Sequence, residues 1–299
     1  MSGPAEITPV RAWLLASRPK TLTAAVAPVL AGAGLAAHHD TFVWLPAFAA
    51  MIGAILIQIG TNFANDYYDF VRGGDTDDRV GPVRVTQAGI LAPEAVKRGM
   101  IAVLALAMLV GAYLVSAAGW PIVVIGLASV ACAVLYTGGP FPLAYHGLGD
   151  VFVFVFFGLI AVGGTYFVQA LAWPADALLA GAGVGALSTA LLVVNNLRDI
   201  ETDARAGKRT LAVRLGRAGT RVEYALLLAA AAAVPLVGVL LFAWPPVALV
   251  VLAVAPLCVP PLRAVLGADE AHELIPALGA TARVVALYGA LLALGLALG

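Results

Sequence analysis

The chain has 299 residues, 62% of them hydrophobic and only 11% charged, with a mean hydropathy of +0.98. A soluble domain carries about 25% charged residues, so this composition excludes an ordinary soluble protein. Seventeen Lys and Arg balance seventeen Asp and Glu, and a net charge of zero gives no reason to expect a nucleic-acid partner.

In chain order, residues 1–20 are polar and mixed, without the short apolar segment and small-residue cleavage site of a signal peptide, so no cleavable leader is expected. Nine apolar runs follow, at approximately 22–38, 43–64, 95–117, 120–138, 149–171, 177–197, 222–243, 246–264 and 276–298. Runs of this length suit a hydrocarbon core of about 30 Å, and the expectation is an all-α integral membrane protein with nine transmembrane helices. Several runs are rich in Ala and Gly, which let helix backbones approach closely in lipid. Cys132 and Cys258 sit inside apolar runs without metal-ligand spacing and are expected to pack.

The cations fix a direction. Arg11, Arg18 and Lys20 precede the first run. Arg72, Arg79, Arg84, Lys97 and Arg98 follow the second. Arg198, Arg205, Lys208, Arg209, Arg214, Arg217 and Arg221 follow the sixth, so these groups hold fifteen of the seventeen Lys and Arg. With nine spans they fall on one side, and the opposite connections carry none. The positive-inside rule then predicts a cytoplasmic N-terminus, an outer C-terminus, and a multi-pass protein of the inner membrane whose charged loops face the cytoplasm.

Two acidic stretches lie where the second and sixth runs meet that face. The first reads Asn62-Phe-Ala-Asn65-Asp66-Tyr67-Tyr68-Asp69-Phe-Val-Arg72-Gly-Gly-Asp75-Thr-Asp77-Asp78-Arg79, and the second Asn195-Asn-Leu-Arg198-Asp199-Ile-Glu-Thr-Asp203. Residues four apart share a helix face, so Asn65 stacks with Asp69, and Asn195 with Asp199 and Asp203. Stacked carboxylates repel unless a cation lies between them, and such oxygens suit Mg²⁺, which bridges carboxylates to phosphate oxygens. One such cluster is often only a solvated helix end. Two, each with Asn-x-x-x-Asp and 130 residues apart, read as a weak internal repeat within a single domain (1–299, halves 1–145 and 146–299) that places a shared site between its halves.

The nearby cations Lys20, Arg72, Arg79, Arg84, Lys208 and Arg209 are the candidates to bind a diphosphate, while Arg214, Arg217 and Arg221 read as membrane-side anchors. An apolar bundle with a diphosphate-binding end suits a polyprenyl diphosphate. An allylic cation formed there needs a dry pocket shielded by aromatic faces. Candidates are Phe63, Tyr67, Tyr68, Tyr136, Phe141 and Tyr166, with Asn62 beside them.

The two acidic stretches resemble the paired Asp-rich signatures of the UbiA superfamily of intramembrane prenyltransferases. Arg18-Pro-Lys-Thr-Leu22 with Ala27-Pro28, Gly81-Pro-Val-Arg84, Tyr136-Thr-Gly-Gly-Pro140 with Gly147-Leu-Gly-Asp150, and Gly207-Lys-Arg-Thr-Leu-Ala-Val-Arg214-Leu-Gly216 resemble its dihydroxynaphthoate branch. The resemblance covers about two thirds of the chain. It implies a nine-helix bundle, Mg²⁺, and transfer of a polyprenyl group to an aromatic acid, with loss of the carboxylate and formation of demethylmenaquinone. By position it assigns metal and diphosphate to Asn65, Asp66, Asp69, Asn195, Asp199 and Asp203, with Asp69, Asp199 and Asp203 carrying the chemistry. Many members continue the first signature with a third acid four residues on, where this chain has Gly73, so Asp75 or Asp77 stands in for it. The rival readings are another aromatic acceptor (4-hydroxybenzoate or homogentisate), a phosphatidyl-type alcohol transferase, and a secondary transporter. The acids lie at helix ends rather than near the midplane, which argues against transport.

Overall fold

Prolines open several of the helices. Pro9, Pro93, Pro121 and Pro246 each sit in a first turn, where the missing N–H costs nothing and the fixed φ already suits a helix. The computed structural model describes residues 7–73, 81 and 84–299, and all the regular structure among them is helical. The helices are α1 (Pro9–Ser17), α2 (Thr23–His38), α3 (Trp44–Val71), α4 (Pro93–Ala118), α5 (Pro121–Leu135), α6 (Gly149–Ala170), α7 (Ala175–Arg198), α8 (Ile200–Arg205), α9 (Leu211–Leu241), α10 (Pro246–Gly267) and α11 (Leu274–Ala297).

Every one of the nine expected apolar runs is helical, but they differ in reach. Among the described residues seven helices (α3, α4, α6, α7, α9, α10 and α11) are long and apolar enough to cross a membrane. The expectation of nine is thus met only in part. With 16 and 15 residues, α2 and α5 measure about 24 and 22 Å, short of a ~30 Å core. α2 gains length only together with α1 and the turn Pro19–Thr21, from which it is bent by 52°. The stretch 211–221, expected as loop, is instead helical. Thr210 caps it by accepting from the Val213 N–H, and Gly216 (φ 69°) breaks it from the long apolar part of α9.

α7 is the centre of the bundle, with 18 of its 24 residues buried. Its Gly and Ala face makes this possible. A Cβ at Gly158 of α6 would lie 2.5 Å from the Gly181 carbonyl oxygen and 2.6 Å from the Gly185 Cα, so the two backbones are in contact. α6 widens to a π-helix over Phe154–Ile160 at this contact. The largest apolar cluster joins α2, α6, α7, α9, α10 and α11, while Phe63, Val96 and Met100 centre another between α3 and α4.

The two ends of the bundle are chemically different. The C-termini of α3 and α7 lie together at one end with most of the cations. At the other, Trp44 and Trp120 are 80% and 75% exposed, as interfacial anchors are. That far end is fastened by His39, which lies 2.8 Å from the Tyr166 hydroxyl and 3.3 Å from Asp176, itself an acceptor for the Trp244 indole N–H at 3.4 Å.

Candidate active site

One face of α3 carries Ala50, Gly53, Ala54, Ile57, Gln58, Thr61 and Asn65, spaced by three and four residues. This face, with α2, α4, α5 and α6, encloses a cavity of about 580 Å³. Its walls are almost entirely apolar, including Val29, Leu114, Ile125, Phe152, Phe156 and Phe157. The cavity runs from Asn65 and Tyr136 at the charged end down to Ala50, about 22 Å along α3.

Asp69 continues the same face one turn beyond Asn65 and is 2% exposed. Its carboxylate holds three partners. Arg84 donates to Oδ2 at 3.0 Å, Lys208 stands 3.1 Å from Oδ1, and the Tyr145 hydroxyl donates to Oδ1 at 3.1 Å. Asn65 accepts from the Thr137 hydroxyl at 3.0 Å. Asp66 turns to the following loop, where the Thr86 N–H and hydroxyl donate to its Oδ2 at 3.3 and 2.9 Å. Its Oδ1 is buried without a hydrogen-bond partner among the described residues.

At the second station Arg198 clamps Asp199 through two bonds of 2.7 and 2.6 Å and donates to Asn195 Oδ1 at 2.9 Å. The Asp203 N–H bonds the Asp199 carbonyl, placing Asp203 on the first turn of α8. Lys208 ties the stations together. Its backbone N–H donates to the Asp203 carbonyl at 2.8 Å while its ammonium reaches Asp69.

The structure separates the expected cations into two groups. Arg84 and Lys208 face Asp69. Arg72 and Arg209 are exposed and line a second hollow of about 470 Å³ with Pro140, Pro142, Tyr145, His146, Gly207 and Arg214. Tyr145 belongs to both groups: its hydroxyl bonds Asp69, it lines the hollow, and the Lys208 ammonium is 4.8 Å and the Arg72 guanidinium 5.7 Å from its ring centroid. Arg72 also donates to the Gly139 carbonyl. Arg214, read from sequence as an anchor, instead supports the 139–147 loop by donating to the His146 carbonyl at 2.8 Å. Arg217 and Arg221 pair with Glu201 and Asp269. Lys20 is exposed at the bend before α2 and has no ion pair among the described residues. Asp75, Asp77 and Arg79 lie outside the described residues.

Of the expected aromatic residues, Tyr136 alone lines the large cavity. Tyr67 and Tyr68 follow Asn65 by two and three positions, which turns them about 200° and 300° round the helix. Tyr67 packs in the Phe63 cluster with Lys97 5.6 Å from its ring, whereas Tyr68, only about 60° round from Asn65, lies against Gly138. Phe141 stacks on His146, and Tyr166 bonds His39 at the far end. Phe152, Phe156 and Phe157 supply the aromatic surface instead. Asn62 sits behind the wall, donating to the Ser17 carbonyl at 2.8 Å. Gln58, Tyr145 and Arg198 were missed as candidates. Gln58, a polar residue inside the apolar run of α3, and the Arg inside Asn195-x-x-Arg198-Asp199 were visible signals, whereas Tyr145 had none.

Among the described residues no three acids converge on one point. Mg²⁺ does not require this, because it is commonly held by one or two carboxylates with substrate phosphates and water. The partnerless, buried Oδ1 of Asp66 is the kind of hard oxygen donor that suits such a cation.

Residues 25–274 match the model of the UbiA prenyltransferase family. A protein of Mycobacterium tuberculosis named 1,4-dihydroxy-2-naphthoate octaprenyltransferase is 44% identical over 287 residues, covering 96% of this chain and 97% of its own length. Among solved structures, a UbiA homologue from Aeropyrum pernix K1 superposes with a TM-score of 0.70 at 16% identity, covering 90% of this chain and 96% of its own. A homologue from Archaeoglobus fulgidus, bound to GPP and Mg²⁺, gives 0.66 at 14% identity, with 94% and 99% covered.

Proposed function

This chain belongs to the UbiA prenyltransferase family, and on that premise we propose that it transfers a polyprenyl group from a polyprenyl diphosphate to 1,4-dihydroxy-2-naphthoate in menaquinone synthesis. The observation that carries this reading is a largely apolar cavity, long enough for a prenyl chain, that ends at Asn65 of the first acidic station, with Lys208 linking that station to the second. The acceptor is taken from relatives at 40–44% identity that act, by name, on that naphthoate.

The residues divide the work by position. Asn65, Asp66 and Asp69 with Asn195, Asp199 and Asp203 would hold Mg²⁺, which supplies positive charge against a diphosphate leaving group. Arg84 and Lys208 are the cations beside Asp69 and bind the diphosphate oxygens. Their charges are preorganised where negative charge develops as the allylic C–O bond breaks and its electron pair leaves with the diphosphate. The cavity wall of Phe152, Phe156 and Phe157 keeps water from the prenyl cation and presents aromatic faces to it. A ring carbon of the acceptor donates the pair for the new C–C bond, and loss of CO₂ returns the electrons to the ring, giving demethylmenaquinol, the reduced form of demethylmenaquinone.

The membrane arrangement belongs to the same proposal. All nine apolar helices embed in the bilayer, α2 and α5 crossing with help from their flanking turns. The cation-rich end faces the cytoplasm, so the N-terminus and the site lie inside, in the inner membrane. The acidic stations descend from the two halves of an internal repeat.

Side-by-side incubation with 1,4-dihydroxy-2-naphthoate, 4-hydroxybenzoate and homogentisate tests the acceptor. The naphthoate should be prenylated far faster than the other two. Preference for either alternative would overturn the acceptor and leave the site model standing.

A further inference from the structure

Gln58 lines the largely apolar cavity and carries an unmatched hydrogen-bond acceptor, whose orientation its neighbours fix. Asn62 donates through its amide nitrogen to the Ser17 carbonyl at 2.8 Å. A carbonyl only accepts, so the Asn62 NH₂ must face Ser17, leaving Oδ1 toward Gln58. Gln58 must therefore offer its own NH₂, and Nε2 donates to Asn62 Oδ1 at 3.3 Å. The Thr21 hydroxyl spends its proton on the Arg18 carbonyl at 2.9 Å. It is thus an acceptor for both amides, at 3.0 Å from Asn62 and 3.4 Å from Gln58. Two backbone carbonyls therefore set the direction of both amides.

The consequence is a bare oxygen. Gln58 is 7% exposed, and its Oε1 has no hydrogen-bond partner among the described residues. Asn62 and Thr21, which hold the nitrogen side, do not line the cavity, whereas Gln58 does, between Ile57 and Thr61. A buried carbonyl left unpaired costs about 1–3 kcal/mol, a cost a ligand donor removes. A prenyl chain has no such donor. A ring hydroxyl does. Gln58 is seven residues from Asn65, about 10 Å along α3, a depth that a fused two-ring acceptor can reach from the diphosphate end.

We propose that Gln58 Oε1 accepts a hydrogen bond from a ring hydroxyl of the aromatic acceptor and so selects dihydroxylated rings. This rests on the aromatic prenyl transfer proposed above. A site built to bond a hydroxyl discriminates strongly against a ligand lacking it, because the polar group is then left buried and unpaired.

The test pairs substrate and protein changes. Purified protein is given 1,4-dihydroxy-2-naphthoate and its two mono-methyl ethers, and kcat/KM is compared with that of Gln58→Leu. The unaltered protein should lose about 10-fold or more on one ether, equivalent to about 1.4 kcal/mol. In Gln58→Leu the acceptor KM should rise, the KM for the polyprenyl diphosphate should stay unchanged, and the ether penalty should shrink toward unity. Equal use of the diol and both ethers by the unaltered protein overturns the proposal, and that arm does not depend on how well the variant folds. So does an undiminished ether penalty in Gln58→Leu. Failure of the unaltered protein to prenylate any of the three removes the underlying reaction and the inference with it.

Discussion

The ammonium of Lys208 stands 3.1 Å from the carboxylate of Asp69, so a cation that follows the second acidic station neutralises the central acid of the first. Both side chains are largely buried, at 12% and 2% exposure, and Arg84 reaches the other oxygen of the same carboxylate. An anionic substrate arriving here meets two cations that one acid holds in place.

Asp69→Asn should keep the shape of this cluster and remove its charge. Loss of preorganised electrostatics of this kind costs about 10²–10³ in rate. Turnover of a polyprenyl diphosphate in detergent should fall by that order, while Asp69→Ala should also unfold at lower temperature because it removes the carboxylate that both Arg84 and Lys208 face, a loss of about 3–5 kcal/mol. Near-normal turnover by Asp69→Asn would show that the first station is not the reacting end.

Tyr145 bonds Asp69 through its hydroxyl and also lines the outer hollow of Arg72, Arg209 and Arg214, so its ring is the wall we expect between the two. Tyr145→Phe removes one hydrogen bond, worth about 1 kcal/mol, and should slow turnover only a few-fold. Tyr145→Ala removes the wall as well, and steady-state kinetics should show a clearly higher KM for the prenyl diphosphate than in Tyr145→Phe. Identical kinetics for the two variants would refute the partition.

Arg214 supports a loop rather than a substrate. Its guanidinium donates to the carbonyls of His146 and Arg209, and Gly147 packs against it. Arg214→Ala should lower the unfolding temperature in detergent yet leave the KM for the prenyl diphosphate within about threefold, less than 1 kcal/mol. A KM raised by orders of magnitude with stability intact would place Arg214 on the diphosphate.

Gly111 lines the deep part of the cavity, and a Cβ added there meets nothing within 4 Å. Gly111→Phe should therefore fill cavity space without disturbing helix packing. Product analysis with donors of different length should show long polyprenyl diphosphates losing turnover while ten-carbon donors keep it. An equal effect on both lengths would place the prenyl chain elsewhere.

Much of this was legible because a helix repeats every 3.6 residues. The spacing of Asn65 with Asp69 and of Asn195 with Asp199 located both stations, and each apolar run became a helix. The same period read further would have turned Tyr67 away from the cavity, about 200° round from Asn65, but it keeps Tyr68 within about 60° of Asn65, and only the path of the 136–140 loop places Tyr68 against Gly138 instead. What the pattern does not contain is the path of the loops. Arg72 and Arg84 flank the same acidic stretch, and only the fold of 84–91 back onto α3 sends Arg84 to Asp69 and leaves Arg72 beyond Tyr145. Tyr166 is adjacent to Thr165, which lines the cavity, but one helical step turns it to His39. The shortness of α2 and α5 was hidden because hydropathy marks apolar residues and not where the helix bends or stops.

The most direct measurement is mass analysis of the product formed by the purified protein from a polyprenyl diphosphate and 1,4-dihydroxy-2-naphthoate, with and without Mg²⁺. The account predicts a prenylated naphthalenediol lacking the carboxylate, one diphosphate released per product, and none when Mg²⁺ is chelated. Folded protein that forms no such product with Mg²⁺ present would contradict it.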